Sequence, residues 1–225
     1  MSLSERLATG LSWRWRSVRE KLPQSWLRIV PHNLLYDEEY FDSREASATF
    51  DAGIIADSLI AEFSPTSCLD VGCGNGALLA ALSARGVRSV EGLEYSDAAI
   101  ERCRRRGVTV QKFNLKRGLA VEAREPVDLV TSFEVAEHLP AGAADRLVRL
   151  LTASGAPLVM SAAHPGQGGR GHLNEQPREY WIAKVESRGL VYDRALSAAF
   201  AASWENGGAS SWYWQNVIAF RRRSG

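Results

Sequence analysis

The chain has 225 residues, of which 45% are hydrophobic and 24% charged, and its formal net charge is +1. These values are typical of a globular domain with a large core, and they exclude a strongly basic surface that would attract nucleic acid. The cysteines Cys68, Cys73 and Cys103 show neither a metal-ligand spacing nor a disulfide framework, so we expect a reducing, cytoplasmic location. No apolar run is long enough to span a membrane, and arginines interrupt the apolar N-terminal residues, which argues against a signal peptide.

Residues 3–22 have the pattern of a basic amphipathic helix that ends at Pro23. Apolar residues recur there at intervals of three or four: Leu3, Leu7, Leu11, Trp15, Val18 and Leu22. Such a helix either packs on the main domain or binds a membrane or a partner helix through residues 1–24. Both interpretations stay open. Residues 31–42 are predicted to form a linker rich in tyrosine and acidic residues.

Strand and helix patterns alternate through the rest of the chain. The first predicted helix covers residues 51–62, with Asp51 as its N-cap, and Ser64-Pro65 ends it. After a strand that begins near Cys68, strands are predicted at 88–94, 108–112, 127–133, 157–162, near 190–195 and at 216–222, and helices at 97–106, near 141–153 and at 177–188. This alternation predicts an α/β fold, a doubly wound parallel sheet that binds its ligand at the carboxyl ends of the strands.

Residues 68–76 read Cys-Leu-Asp-Val-Gly-Cys-Gly-Asn-Gly, a strand followed by a glycine turn and then by an apolar helix that begins near Ala77. Glycines let the backbone turn sharply and approach a ligand, and the helix directs its unpaired N–H groups toward that ligand. The spacing is neither that of a dinucleotide-binding fingerprint nor that of a P-loop. The next strand ends at Glu94, whose carboxylate can accept hydrogen bonds from both hydroxyls of a ribose.

The string from Asp70 to Gly76 resembles the first motif of the class I S-adenosylmethionine-dependent methyltransferases, and the string from Glu134 to Pro140 resembles their fourth. The resemblance covers about residues 50–222. It implies a mostly parallel seven-stranded Rossmann-like sheet with helices on both faces, at residues 51–225. Residues 1–50 would be an N-terminal helical extension that folds over the cofactor as a lid.

The resemblance also implies where S-adenosyl-L-methionine binds. The expected contacts are Asp70, Gly72, Cys73, Gly74, Gly76, Glu94, Tyr95, Asn114, Leu115 and Glu134. Asn114 stands where the family commonly has an Asp that contacts the adenine amino group. The Asn oxygen can still accept that hydrogen bond, but it carries no charge. This departure keeps open a cofactor-binding scaffold without transfer activity.

A glycine-rich loop follows the fifth strand and carries two histidines, an arginine, an asparagine and a glutamate. Long polar loops at this edge of the sheet form acceptor sites in the family. The string from His172 to Pro177 resembles a subgroup of bacterial methyltransferases from carbohydrate and secondary-metabolite gene neighbourhoods. Expected acceptor contacts are Tyr36, Tyr40, Asn174, Glu175, Trp181 and Trp212.

Three of these acceptor assignments have simpler alternatives. Asn174 and Glu175 would also serve as caps of the helix that Pro177 opens. Trp212 and Trp214 alternate with Tyr213, so on a strand they would share a face that either lines the acceptor site or covers the sheet edge.

The predicted activity is methylation of a small metabolite, with a sugar or secondary-metabolite hydroxyl as the preferred acceptor. His164 or His172 would take the hydroxyl proton, and His138 is a further candidate that is often structural in the family. His164, His172 and Glu175 lack a standard metal-ligand spacing, so no metal is predicted. Alternatives are N- or C-methylation of a small or lipid-linked acceptor, and the scaffold. Nucleic acid is not expected as a partner, and the sequence does not predict an oligomeric state.

Overall fold

The computed structural model describes residues 35–115 and 126–223. The predicted helix of residues 3–22 and the predicted membrane contact through residues 1–24 lie outside these ranges. Among the helices that the structure describes, none combines the length and apolar character needed to cross a bilayer.

The described residues form a seven-stranded sheet with the strand order β3-β2-β1-β4-β5-β7-β6. The strands are β1 (Ser67–Val71), β2 (Ser89–Glu94), β3 (Thr109–Lys112), β4 (Leu129–Phe133), β5 (Leu158–Ser161), β6 (Leu190–Tyr192) and β7 (Ile218–Arg222). Strands β1 to β5 pair in parallel, whereas β7 lies antiparallel between β5 and β6. The predicted mostly parallel seven-stranded sheet is therefore confirmed.

Helices cover both faces of this sheet. They are α1 (Glu38–Phe63), α2 (Ala77–Ala84), α3 (Asp97–Arg105), α4 (Ala144–Leu151), α5 (Arg178–Glu186), α6 (Arg194–Asn206) and α7 (Ser211–Asn216), with short 3₁₀ turns at Ala136–His138 and Ala141–Ala143. Neighbouring strand residues alternate between two hydrophobic cores, as a two-sided sheet requires. Cys68 and Val159 belong to the core with α1, α2 and α6, whereas Leu69 and Leu158 belong to the core with α4 and α5.

The helix predicted at residues 51–62 begins too late in the chain. Helix α1 starts at Glu38, and its N-cap is Asp37, whose side chain accepts a hydrogen bond from Tyr40 N at 3.0 Å. Residues 43–50 are mostly polar and lack an apolar period, which is why the sequence pattern missed them. The predicted linker is therefore wrong from Glu38 onward, and the predicted cap at Asp51 is also wrong. The division after residue 50 falls within one continuous helix.

The C-terminal region also differs from its prediction. Strand β6 ends at Tyr192, because Asp193 caps helix α6 by accepting a hydrogen bond from Leu196 N at 2.9 Å. Helices α6 and α7 lie between β6 and the last strand, where no helix was predicted. Since Trp212 and Trp214 lie two positions apart on α7, they do not share a face. Trp212 lines the cavity described below, while Trp214 packs against the hydrophobic core.

Candidate active site

A cavity of about 410 Å³ lies at the carboxyl ends of β1, β2 and β4. This is the point where the chain, having built β2 and β3 on one side of β1, places β4 on the other side. Ligands of open α/β sheets bind at such a switch point, because the loops after neighbouring strands separate there. The topology therefore forms the cavity where the motifs predicted it.

The glycine turn after β1 forms one wall of the cavity. Gly72 has φ +79°, and a Cβ at this position would overlap the side chain of Val135. The N–H groups of Gly72 and Cys73 donate to Leu93 O, at 2.8 and 3.2 Å. Gly72, Cys73 and Gly74 line the cavity. Gly76 lies outside the lining as the N-cap of α2, where a Cβ would come within 2.9 Å of Cys103 Sγ.

Glu94 ends β2 and projects a buried carboxylate into the cavity. Its Oε2 accepts a hydrogen bond from Gly74 N at 3.0 Å, and Oε1 accepts from Tyr95 N at 2.6 Å and Ser96 N at 2.7 Å. Burial raises the pKa of Glu94, although these N–H groups oppose the rise. The backbone thus fixes the orientation of the carboxylate before any ligand arrives.

Asp70 is a second buried carboxylate in the cavity wall. Burial raises its pKa to about 6; repulsion from Glu94 adds to the rise, and a hydrogen bond from Thr131 Oγ1 at 2.8 Å opposes it. Two desolvated carboxylates side by side favour a ligand that brings positive charge and hydroxyl donors. S-adenosylmethionine carries an ammonium, a sulfonium and ribose hydroxyls, so it fits these two carboxylates.

The other predicted cofactor residues also reach the cavity. Tyr95 is 39% exposed and lines it directly after Glu94. Asn114 and Leu115 line it after β3, and Glu134 lines it after β4. Glu134 has φ +55°, a strained conformation for a residue with a side chain.

The residues just before α1 lie across the cavity. Ser96 Oγ donates to Tyr36 O at 3.0 Å, and the Tyr36 hydroxyl donates to Arg170 O at 2.7 Å. Arg170 Nη1 in turn donates to Leu35 O at 3.1 Å. These bonds connect the end of β2 to the loop after β5 over the buried Tyr36 ring.

Stacked aromatic and guanidinium groups form another part of the lining. Arg44 lies over Tyr40 at 5.0 Å and over Trp212 at 5.8 Å, and Arg170 lies over Tyr40 at 5.2 Å. All four side chains line the cavity. Two cations and two aromatic rings suit a polar acceptor with flat or hydroxylated faces.

The turn after β4 places Glu137 and His138 in the cavity lining together. Both lie on the tight 3₁₀ turn Ala136–His138. Glu137 is 0% exposed, and neither of its carboxylate oxygens has a hydrogen-bond partner of regular geometry in the described part of the chain. Burial, and then the neighbouring Glu134 carboxylate, hold the pKa of Glu137 well above its ordinary range.

Hydrogen bonds define the tautomer of His138. Its Nδ1 lies 3.0 Å from the Tyr36 hydroxyl oxygen and 3.4 Å from Gly171 O. The hydroxyl proton is directed to Arg170 O, and a carbonyl oxygen can only accept. Nδ1 therefore carries the proton, and the lone pair of the neutral ring is on Nε2, which lies 4.0 Å from Glu137 Oε1.

His172 has the same tautomer for a different reason. Its Nδ1 lies 2.7 Å from Glu175 Oε1, and the Glu175 carboxylate also accepts hydrogen bonds from Gly166 N and Gly168 N at 2.9 Å each. Burial raises the pKa of Glu175, but these hydrogen bonds outweigh it and keep the pKa below its ordinary value. An ionised carboxylate accepts the Nδ1 proton, so the lone pair of His172 is also on Nε2.

Four predicted acceptor-site residues do not reach the cavity lining. His164 is exposed, with its Nδ1 3.2 Å from Pro165 O. Trp181 is 1% exposed within the hydrophobic core, which corrects its assignment as a substrate contact. Asn174 is buried and accepts a hydrogen bond from Gln176, and Glu175 holds the loop and His172 in place. Tyr36, Tyr40, Trp212, His138 and His172 do line the cavity.

Sequence reasoning missed four lining residues that bear charge, one of which, Asp51, was predicted only as a helix cap. Arg44 lies on the part of α1 that the pattern did not predict, and Arg170 was noted only as a member of the glycine loop. Glu137 was noticed as a neighbour of His138 but not assigned to the site. The Glu-x-x-Glu-His spacing of residues 134–138 was the available signal, since a tight turn places such side chains on one side.

Comparison with known proteins shows that the part of the chain that forms much of the cavity resembles a known family. A family model described as a methyltransferase domain matches residues 69–159. This segment of the chain is therefore similar to a methyltransferase domain. The match begins in β1 and ends in β5, so it includes the glycine turn, Glu94 and the turn with Glu137 and His138.

The relatives of the domain act on small molecules. Ubiquinone biosynthesis O-methyltransferase from Nitrosomonas europaea is 34% identical over 90 residues, which is 37% of this chain and 37% of that protein. The sugar N-methyltransferase KedS8 from Streptoalloteichus has a TM-score of 0.61 at 16% identity, over 83% of this chain and 92% of that chain. S-adenosylmethionine-bound CalS10 from Micromonospora echinaspora, an amino pentose methyltransferase, has a TM-score of 0.60 at 21% identity, over 83% and 96%. The two structures share the Rossmann-like methyltransferase fold.

Proposed function

We propose that this chain methylates a hydroxyl of a small acceptor, such as a sugar or a secondary metabolite, with S-adenosylmethionine as the methyl donor. The observation that carries the proposal is the cavity, in which the glycine turn and the carboxylates of Asp70 and Glu94 share one lining with a cluster of two histidines and a glutamate. Residues 51–225 would hold the donor and most of the acceptor site. The residues before them, of which the structure describes Leu35 onward, would close the site as a lid.

The chain's own residues would hold the donor at the β1 and β2 ends. The Glu94 carboxylate would accept hydrogen bonds from the ribose hydroxyls, and Asp70 would compensate the positive charge of the ligand. When bound, S-adenosylmethionine supplies a methyl group on a sulfonium, which keeps the electron pair of the S–C bond as the acceptor oxygen forms the new O–C bond. Alignment of the two ligands is the main contribution of such a site.

The acceptor would lie near Tyr40, Trp212 and the two histidines. The hydroxyl must lose its proton around the time of transfer. His138 and His172 each have a lone pair on Nε2, so the cluster would activate the hydroxyl either as a base or by holding a cation. His164 does not line the cavity, so we assign it no part in the reaction.

The test is a methyl-transfer assay with a panel of hydroxylated and amino acceptors, run on wild type, His172→Gln and His164→Gln. We expect His172→Gln to lower kcat about 100-fold or more while the affinity for S-adenosylhomocysteine stays the same. The exposed His164→Gln should retain wild-type turnover. Equal turnover of all three proteins would contradict the assigned role of the histidine cluster. Product analysis would separate O- from N- or C-methylation.

A further inference from the structure

The Glu137 carboxylate presents a physical problem that the proposed activity alone does not solve. It is fully buried, and neither oxygen has a hydrogen-bond partner of regular geometry among the described residues. The Glu134 carboxyl and the N–H of Ala163 lie close enough to influence this carboxylate. A buried carboxylate without a well-formed hydrogen bond is still unfavourable by several kcal/mol, so such a group is normally paired with a cation, bound to a metal or protonated. Glu137 lines the cavity, so a ligand can reach it.

Two imidazoles lie beside this carboxylate with suitable nitrogens. One ligand atom each of Glu137, His138 and His172 lies within 4.8 Å of the other two. The rings of His138 and His172 meet edge to face, with centroids 4.9 Å apart. A metal with bonds of about 2.1 Å to nitrogen and oxygen needs ligand atoms about 3–3.5 Å apart, so small side-chain rotations would complete the site.

The surroundings of both histidines are those of metal ligands. Metal-binding histidines almost always donate their second ring N–H to a carboxylate or a carbonyl, which fixes the tautomer. Here His172 donates to Glu175, and the Nδ1–H of His138 is directed to the Tyr36 oxygen and Gly171 O. Both lone pairs are therefore on Nε2, the nitrogen that in His138 lies 4.0 Å from Glu137 Oε1.

The backbone holds the two halves of the cluster together. Glu137 O accepts hydrogen bonds from Leu173 N at 2.7 Å and from Asn174 N at 3.0 Å, which ties the turn after β4 to the loop after β5. At Gly169, a Cβ would overlap the His172 ring, so glycine makes room for the imidazole. The cluster is thus held by contacts that do not depend on a ligand.

We propose that Glu137, His138 and His172 bind a divalent transition-metal ion at the acceptor end of the cavity. Two imidazoles and one carboxylate leave coordination positions open and suit ions such as Mn²⁺, Fe²⁺ or Zn²⁺ better than Ca²⁺. The site itself does not depend on the proposed function. Its role does: the ion would bind the acceptor hydroxyl, lower its pKa and let the proton leave to solvent before methyl transfer.

The test is calorimetric titration of the chelator-treated full chain with Zn²⁺, Mn²⁺ and Ca²⁺, without donor or acceptor. We expect one Zn²⁺ or Mn²⁺ per chain and at least 100-fold weaker Ca²⁺ binding. Glu137→Gln and His172→Gln should each weaken transition-metal binding at least 100-fold. Glu175→Gln removes the charge of the group that pairs with His172 and also changes the acceptor of Gly166 N and Gly168 N, and it should weaken transition-metal binding about 10–100-fold. The matched control His164→Gln should bind as wild type does.

A spectroscopic readout makes the result independent of folding defects and of enzyme activity. Pulsed EPR of the Mn²⁺-loaded protein should show coupling to two imidazole nitrogens in wild type and to one in His172→Gln. The proposal is overturned if the wild type binds neither ion saturably, or if both Glu137→Gln and His172→Gln bind within threefold of wild type. Metal binding without S-adenosylmethionine binding would reject the proposed function and leave the metal site standing.

Discussion

At the scale of single residues, Gly72 controls how closely a ligand can approach the end of β1. Its φ is +79°, and a Cβ at this position would overlap the Val135 side chain. Gly107 has a similar φ of +70°, but nothing lies within 4 Å of a Cβ there. An alanine at either position would strain the backbone, but only at Gly72 would it also overlap a neighbour. Comparing the two alanine variants therefore distinguishes the two effects.

We predict that Gly72→Ala lowers the free energy of unfolding by about 3 kcal/mol, through backbone strain and overpacking together. Gly107→Ala should lower it by only about 1–2 kcal/mol, the strain alone. Urea unfolding measures both. Adding Val135→Ala to Gly72→Ala should recover part of the loss. Equal destabilisation by the two single variants would show that Val135 does not restrict the turn.

Asp70 makes a pH-dependent contribution to stability. Its pKa rises from an ordinary 3.8 to about 6 in the fold, so between these values the folded state binds more protons than the unfolded state. The free energy of unfolding therefore falls as pH rises through this window, by up to about 3 kcal/mol in total. Below about pH 4 the penalty is absent, because the carboxyl is protonated in both states.

We predict that Asp70→Asn, which does not titrate, gains stability over wild type as pH rises from 4 to 6 and keeps that gain above pH 6. Urea unfolding of both proteins across this range isolates Asp70, because the other buried carboxyls are common to both. A difference that does not change with pH would contradict the assigned pKa. The same variant should bind S-adenosylmethionine more weakly, since the compensating charge is lost.

At the scale of elements, Asp51 links α1 to α7. It is 3% exposed, and its carboxylate accepts hydrogen bonds from Ser210 N at 2.9 Å and Ser210 Oγ at 2.8 Å. Helix α7 carries Trp212 and Tyr213 into the cavity lining, so this link positions the acceptor end. Asp51, which was predicted to be a helix cap, instead joins two helices.

We predict that Asp51→Ala lowers the free energy of unfolding by about 1–3 kcal/mol, because it leaves two half-buried donors of Ser210 without their acceptor. The matched control is Asp57→Ala on the same helix, whose ion pair with Arg85 is exposed. That ion pair contributes at most about 1 kcal/mol to the free energy of unfolding. Chemical denaturation compares the two, and losses of equal size would contradict the linking role of Asp51.

Elements with strong local signals were predictable from the sequence. The glycine turn, Glu94 and the apolar strands have periods and turn residues that act over a few positions, and the structure placed them within a few residues of prediction. The first half of α1 and helices α6 and α7 lack such signals. Their stability comes from caps at Asp37 and Asp193 and from packing of Phe200 and Trp204, which depend on the folded chain.

At the scale of the whole molecule, the site brings together segments that are distant in sequence. Glu137 and His172 meet only because the loops after β4 and β5 end at the same edge of the sheet. The sequence predicted that edge and most of the cofactor side. It did not predict that His172 would join His138 and Glu137 while His164 would stay outside, because this choice depends on the path of one glycine-rich loop.

We propose that the carboxyl ends of β1 and β2 bind S-adenosylmethionine through Glu94. The most direct test is calorimetric titration of the full chain with S-adenosylmethionine and S-adenosylhomocysteine, with Glu94→Ala and Glu94→Gln beside wild type. Glu101→Gln, on the exposed face of α3, is the control. We expect saturable binding by wild type and Glu101→Gln, and at least tenfold weaker binding by both Glu94 variants. No binding by wild type, or equal binding by all four proteins, would contradict it.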